Sequence, residues 1–153
     1  MAPMQPFDRD ILMLLHDVAR MMRVRFDQRA RLSGMTRAQW VILARLERQP
    51  GLSQNEMAAI LEVEPISVGR LIDRLEARGL VERRADPTDR RVRRLHLLPA
   101  AKPFLDEITD QRDRLSVEIL DGVSPEARAH LVEAFLRMKS NLTETPQPKA
   151  VGE

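Results

Sequence analysis

The chain has 153 residues, and its 25 basic and 23 acidic side chains leave a formal net charge of only +2. This length suits one domain or two interleaved sub-domains, and a hydrophobic content of 43% excludes wholesale disorder. Because the sequence has no cysteine, it excludes disulfides, thiolate metal sites and cysteine nucleophiles.

The amino-terminal third predicts two amphipathic helices. Apolar residues recur at helical spacing within residues 8–32, which indicates one long helix with Asp8 as its N-cap. A second helix begins at Thr36, which forms a capping-box pattern with Gln39. We find no apolar run that could span a bilayer and no secretory signal, so we expect a cytoplasmic protein.

The next segment predicts two shorter helices joined by a tight turn. Ser53 begins the first of them with a capping box to Glu56, and Pro65 suits the first turn of the second. The second helix has apolar residues at i, i+3, i+4 and i+7 from position 68, and Gly79 ends it.

A β-hairpin and two more helices complete the chain. Residues 80–84 and 92–98 read as short strands around an Asp-Pro turn. Helices are predicted over residues 100–120 and from Ser124 to about residue 142. The tail, residues 143–153, has no periodicity and is predicted to be disordered.

Positive charge is concentrated between residues 65 and 98, which contain nine arginines and five acidic residues. Ser67, Arg70 and Arg74 lie on the face of their helix opposite the apolar stripe, as a recognition helix in the major groove requires. The alternative is a solvated face on which these arginines pair with neighbouring acids. Arg90 and Arg91 lie at the hairpin tip, where they suit a minor groove or simply protect a sheet edge from aggregation. The succession of these elements predicts a winged helix-turn-helix.

The segment SVGRLIDRLEARGLVERRADPTDRRVRRLHL, from Ser67 to Leu97, resembles the MarR family of bacterial transcription regulators, and most closely its SlyA-like branch. The resemblance implies a mainly α-helical fold with a small β-hairpin wing. Residues 36–98 would form the winged helix-turn-helix domain, while residues 8–32 and 100–142 would form a helical dimerisation region of an obligate homodimer. One departure is that Pro99-Ala100-Ala101-Lys102-Pro103 replaces the family's usual Leu-Thr and glycine, which affects the start of the fifth helix.

The resemblance also assigns DNA contacts. It implies that Arg91 enters the minor groove with Asp89 orienting it, and that the recognition helix reads the major groove. The predicted DNA-binding residues are Ser53, Gln54, Ser67, Val68, Arg70, Arg74, Arg84, Asp89, Arg90 and Arg91.

Members of this family often bind small aromatic or anionic ligands, for which His16, Arg20, Trp40 and Arg45 are the candidate residues; the alternative is that Trp40 is core packing and His16 a surface residue. We find no catalytic motif and no metal-ligand spacing, so we expect neither an enzyme nor a metal or other cofactor. The predicted function is a homodimeric repressor that binds a pseudo-palindromic operator and is released by a small ligand. The alternative, a helical protein-interaction module without DNA binding, does not explain the arginines at the hairpin tip.

Overall fold

The computed structural model describes residues 9–144, which are mainly α-helical with one two-stranded antiparallel sheet. The elements in chain order are α1 (Ile11–Leu32), α2 (Arg37–Arg48), α3 (Gln54–Leu61), α4 (Pro65–Ala77), β1 (Val81–Ala85), β2 (Arg93–Leu97), a 3₁₀ turn (Pro99–Ala101), α5 (Lys102–Ile119) and α6 (Pro125–Glu144). The predicted fold class is therefore confirmed. Within the described residues, no helix combines the length and the apolar character that crossing a lipid bilayer requires.

Polar caps fix where the helices begin. The α1 helix begins at Ile11, because the Asp10 carboxylate accepts the backbone N–H of Met13 at 2.9 Å. The predicted start at residue 8 is therefore wrong, and the predicted cap Asp8 lies outside the described residues. The capping boxes at Thr36 and Ser53 are both confirmed.

The hairpin pairs Arg83 with Leu95. Its first strand begins and ends one residue later than predicted, and its second strand is one residue shorter at each end. A third segment joins it, which the sequence did not indicate. The backbone N–H of Leu95 donates to the carbonyl of Leu52, and the N–H of Gly51 donates to the carbonyl of Leu95, both at 2.9 Å. These bonds attach the start of α3 to the wing.

The core of the winged lobe is formed by side chains from α2, α3, α4 and the hairpin. Its largest fully buried members include Ile42, Leu43, Leu46, Met57, Val68, Ile72, Leu75 and Leu95. Burying a side chain of this size stabilises the fold by about 1.5–3 kcal/mol relative to leaving it exposed. The same core also includes Ala30 of α1 and Leu105 and Ile108 of α5, and it holds α4 and the wing in place.

The chain divides into two compact units, Met1–Asp113 and Arg114–Glu153. In the first unit, Arg29 donates to the carbonyl of Gln111 at 3.0 Å and so links α1 to α5. In the second unit, Arg128 donates to the carbonyls of Leu120 and Val123, both at 2.8 Å. The α6 helix continues to Glu144, so positions 143 and 144 of the predicted tail are helical, and the rest of that tail lies outside the described residues.

Candidate nucleic-acid interface

Close contact between α3 and α4 forms a helix-turn-helix. The Gln54 amide donates to the carbonyl of Pro65 at 3.2 Å across the turn. A Cβ atom at Gly69 would lie only 3.0 Å from Nε2 of Gln54, so the glycine permits this approach of the two helices. Gln54, predicted as a phosphate contact, thus also joins α3 to α4.

The outward face of α4 presents the polar residues that the sequence placed there. Ser67, Arg70 and Arg74 are all exposed. Within residues 9–144 neither Arg70 nor Arg74 forms an ion pair, so the structure does not support the alternative that nearby acids neutralise them. Both guanidinium groups are available to phosphate or base edges.

Val68 corrects one of the predicted contacts. Its side chain is 0% exposed and belongs to the core, because it lies on the apolar stripe of α4. A residue buried in this way cannot reach a base, so the DNA-binding prediction for Val68 is wrong. Ile66, which the sequence analysis passed over, is 67% exposed at the amino-terminal end of the same helix.

Arg83 joins the wing to α4. Its guanidinium pairs with Asp73 at 2.8 Å and with Glu76, and it also donates to the carbonyl of Gly69 at 3.1 Å. The two acidic residues of α4 are therefore occupied by a structural arginine on β1. No pattern in the sequence indicates this role, because Arg83 stands in a run of wing arginines and nothing in that run distinguishes it from its neighbours.

A second arginine holds the other strand of the wing. Arg94 donates to Asp86 at 2.8 Å, to Glu56 at 3.2 Å and to the carbonyl of Gly51 at 3.3 Å. Hydrogen bonds from Ser53, helped by the charge of Arg94, lower the pKa of Glu56. Arg94 therefore anchors the hairpin to α3, and it is not a free cation at the tip of the wing.

The turn of the wing is organised by its aspartates. Asp86 accepts the hydroxyl of Thr88 at 2.7 Å and the backbone N–H groups of Thr88 and Asp89 at 2.8 and 3.0 Å. These bonds, with that from Arg94, hold the pKa of Asp86 far below its ordinary value. Asp89 accepts the backbone N–H of Arg91 at 2.9 Å. This bond holds the backbone of Arg91 and does not involve its guanidinium group.

The remaining predicted wing residues are at the surface. Arg90 and Arg91 are exposed in the turn, as the prediction requires. Arg84 is also exposed, but its Nε donates to Glu82 at 2.6 Å. Among the described residues, Arg90 and Arg91 at the tip of the wing have no ion-pair partner. Arg84 is paired with Glu82, which a phosphate would have to displace.

Comparison with known proteins gives the family. A sequence profile of the MarR family matches residues 33–92. A crystal structure of MarR superposes with a TM-score of 0.80 at 25% identity and covers 93% of this chain and 96% of its own. The transcriptional regulator PA3341 (30% identity, TM-score 0.78) covers 89% and 100%, and SlyA (25%, 0.75) covers 88% and 95%. The chain belongs to the MarR family.

Membership in the MarR family settles the class of function. Its members are transcriptional regulators and not enzymes, and the winged fold with its arginine-bearing face supports DNA-binding regulation. The SlyA-like branch stays a prediction, since MarR and SlyA match this chain at the same 25% identity.

The ligand residues predicted for this MarR-family chain are divided between surface and core. His16, Arg20 and Arg45 are exposed, and Arg20 pairs with Asp17 at 3.8 Å. Trp40 is buried, and its indole Nε1–H has no hydrogen-bond partner among the described residues. In the described part of the chain, no group of three acidic or histidine side chains could hold a metal ion.

A cavity of about 550 Å³ lies elsewhere in the first unit. It is lined by Arg31, Gly34, Met35, Thr36, Gln39, Arg74, Ala77 and Arg78. Three arginines make its lining cationic, yet none of the four predicted ligand residues belongs to it. The cavity adjoins α4 through Arg74, which is itself a predicted DNA contact.

Proposed function

We propose that this chain is a sequence-specific repressor that binds a pseudo-palindromic operator as a homodimer and is released by a small aromatic or anionic ligand. The observation that carries the DNA-binding part is the pairing pattern of the arginines. Arg83 pairs with Asp73 and Glu76, and Arg94 pairs with Asp86 and Glu56. Within residues 9–144, Arg70 at the surface of α4 and Arg91 at the wing tip form no ion pair. Free cations on two adjacent elements suit a major groove and its neighbouring minor groove.

The exposed apolar face of α1 supports the homodimer. Its large exposed side chains are Ile11, Leu12, Met13, Leu14, Leu15, Val18, Met21, Val24 and, at its end, Leu32. A contiguous apolar surface of this kind is unusual on a monomer, and a second copy of the same helix region would cover it. A two-fold dimer then presents two α4 helices to half-sites about 10 bp apart, centre to centre.

The buried indole of Trp40 supports the proposal that the chain binds a small ligand. An unpartnered N–H in the protein interior costs about 1–3 kcal/mol, and the carboxylate of an aromatic acid would satisfy it. Arg20 and Arg45, which are exposed on α1 and α2, would supply cations for the anionic group of the ligand. This proposal concerns Trp40 and its surroundings, and the cavity beside Arg74 is a separate feature.

The experiment is footprinting on DNA upstream of the chain's own gene and of its neighbours. We expect two protected half-sites and an affinity that falls steeply with salt, because phosphate binding releases counterions. The Arg91→Ala variant should lose about tenfold in affinity and reduce the salt slope by about 1, whereas Arg112→Ala, an exposed arginine on α5, should behave as wild type. If no DNA is protected at low or moderate salt, the protein-interaction alternative is preferred.

The same footprint tests the ligand when it is repeated with benzoate. Trp40 is the only tryptophan of the chain, so its fluorescence reports directly on binding beside the indole. We expect benzoate to quench this fluorescence and to remove the protection at the same concentration. If millimolar benzoate changes neither, an aromatic carboxylate does not act at Trp40.

A further inference from the structure

An exposed isoleucine lies in the first turn of α4, on its outward face. Ile66 follows Pro65 in the first turn of the helix, and its side chain is 67% exposed. The other large aliphatic residues of α4, which are Val68, Leu71, Ile72 and Leu75, are buried or packed against the core. Ile66 is thus the one large aliphatic side chain of this helix that is directed away from the core.

The position of Ile66 on the helix places it among the polar contacts. Residues four apart lie on the same ridge of a helix, so Ile66, Arg70 and Arg74 form one row, with Ser67 beside them. A side chain in the first turn of a recognition helix lies where base edges are read. Ile66 therefore leads a row that continues in arginines.

The charge around Ile66 favours nucleic acid over an apolar protein partner. Asp73, which borders the same row, pairs with Arg83 at 2.8 Å, and Glu76 pairs with the same guanidinium. The charges that remain unpaired on this face within the described residues are those of Arg70 and Arg74. An apolar group at the head of a row of free cations matches a major groove, where apolar methyl groups lie beside phosphates and acceptor atoms.

We propose that Ile66 reads thymine by packing against its 5-methyl group in the major groove. The C5-methyl of thymine is the apolar group that the base pairs offer in this groove, and aliphatic side chains recognise it by contact. Burying one methyl-sized group contributes about fourfold in affinity, so two half-sites contribute about 15-fold. This inference rests on the proposed DNA-binding function and adds a base preference to it.

The experiment is a uracil scan of the operator, since deoxyuridine pairs as thymidine does but lacks the 5-methyl group. Each thymine of a protected half-site is replaced in turn, and the dissociation constant of the full-length chain is measured. For the wild type, we expect one position at which uracil weakens binding about fourfold. In Ile66→Ala that penalty should disappear, while the penalties at other thymines stay as they were.

Two variants make the result specific to the side chain. Ile66→Val keeps most of the aliphatic surface and should retain most of the thymine preference. Val63→Ala changes a neighbouring exposed aliphatic residue that precedes α4, and it should show the wild-type scan. Because Ile66 is exposed, none of these changes removes a core contact, and circular dichroism verifies that the variants are folded.

The outcomes separate this inference from the proposed function. If the wild type and Ile66→Ala both bind the operator and give identical uracil scans, the thymine contact is wrong and DNA binding stands. If Val63→Ala, and not Ile66→Ala, abolishes the preference, the contact belongs to the turn. If the wild type protects no DNA at all, both proposals are wrong.

Discussion

At the scale of single residues, the arginines of the wing divide into two chemical roles. Arg94 forms ion pairs with Asp86 and Glu56, so its charge is neutralised within the protein. Arg90 and Arg91 have no acidic partner within the described chain and lie at the tip. Counting charge along the sequence treats all of them alike, whereas the contacts show which ones can meet a phosphate.

Asp86 carries a pH prediction. Its pKa is lowered in the folded state, so its contribution to stability is complete above the ordinary pKa of about 3.9 and is lost as the pH falls towards the folded value. We expect the free energy of unfolding of the wild type to decline below about pH 4, and Asp86→Asn to be less stable at pH 7 and to decline less steeply. Urea unfolding between pH 2.5 and 7 measures this.

A partial variant tests the cause of that shift. Thr88→Ala removes the hydroxyl that donates to Asp86 but keeps Arg94, so its pH dependence should lie between those of the wild type and Asp86→Asn. Parallel curves for all three proteins would show that Asp86 makes no contribution to the acid dependence.

At the scale of helices and strands, the predicted helix starts were accurate where residues next to each other in the sequence determine them. The capping boxes at Thr36 and Ser53 and the proline at position 65 all begin helices where predicted. The capping boxes bond backbone N–H groups of the first turn, and proline lacks the N–H that would be left unpaired there. The attachment of the hairpin to α4 could not be predicted from such local patterns. Arg83 reaches Asp73 and Glu76 across the turn between α4 and β1, and that contact depends on the folded geometry.

Removing Arg83 should therefore loosen the wing from α4. Arg83→Ala leaves Glu76 and the carbonyl of Gly69 without their partner, which predicts a loss of about 1–3 kcal/mol in the free energy of unfolding. Arg93→Ala is the matched control, because Arg93 is exposed on the other strand and forms no ion pair in the described part; its change should stay within about 0.5 kcal/mol. Equal effects of the two variants in urea unfolding would contradict a structural role for Arg83.

At the scale of the whole molecule, the apolar surface left on α1 is the main feature that one chain does not explain. Large apolar side chains of α2, α3, α4 and the hairpin are buried in the core, yet Leu12 of α1 is 73% exposed. In the other unit, α6 likewise exposes several large side chains, among them Val132 and Leu136. Both observations fit the proposed assembly of two copies.

Light scattering tests that assembly. At micromolar concentration we expect a mass near twice 17.6 kDa for the wild type. Leu12→Glu places a charge in the proposed interface and should shift the equilibrium towards the monomer, while Gln28→Glu adds the same charge at another exposed position of α1. A monomeric wild type would refute the homodimer, and equal effects of the two variants would remove Leu12 from its interface.

The sequence by itself determined the helices, the hairpin and the family. These follow from periodicity, from caps and from a run of residues around Arg91, all of which act over short distances along the chain. Only the tertiary structure decided which side chains of these elements are available. It buried Val68 and exposed Ile66, although they are two residues apart, because the orientation of α4 against its core selects the outward face. It also pairs Arg83 and Arg94 with acids brought close by folding, and it leaves Arg70 and Arg91 without an ion pair in the part of the chain that the structure describes.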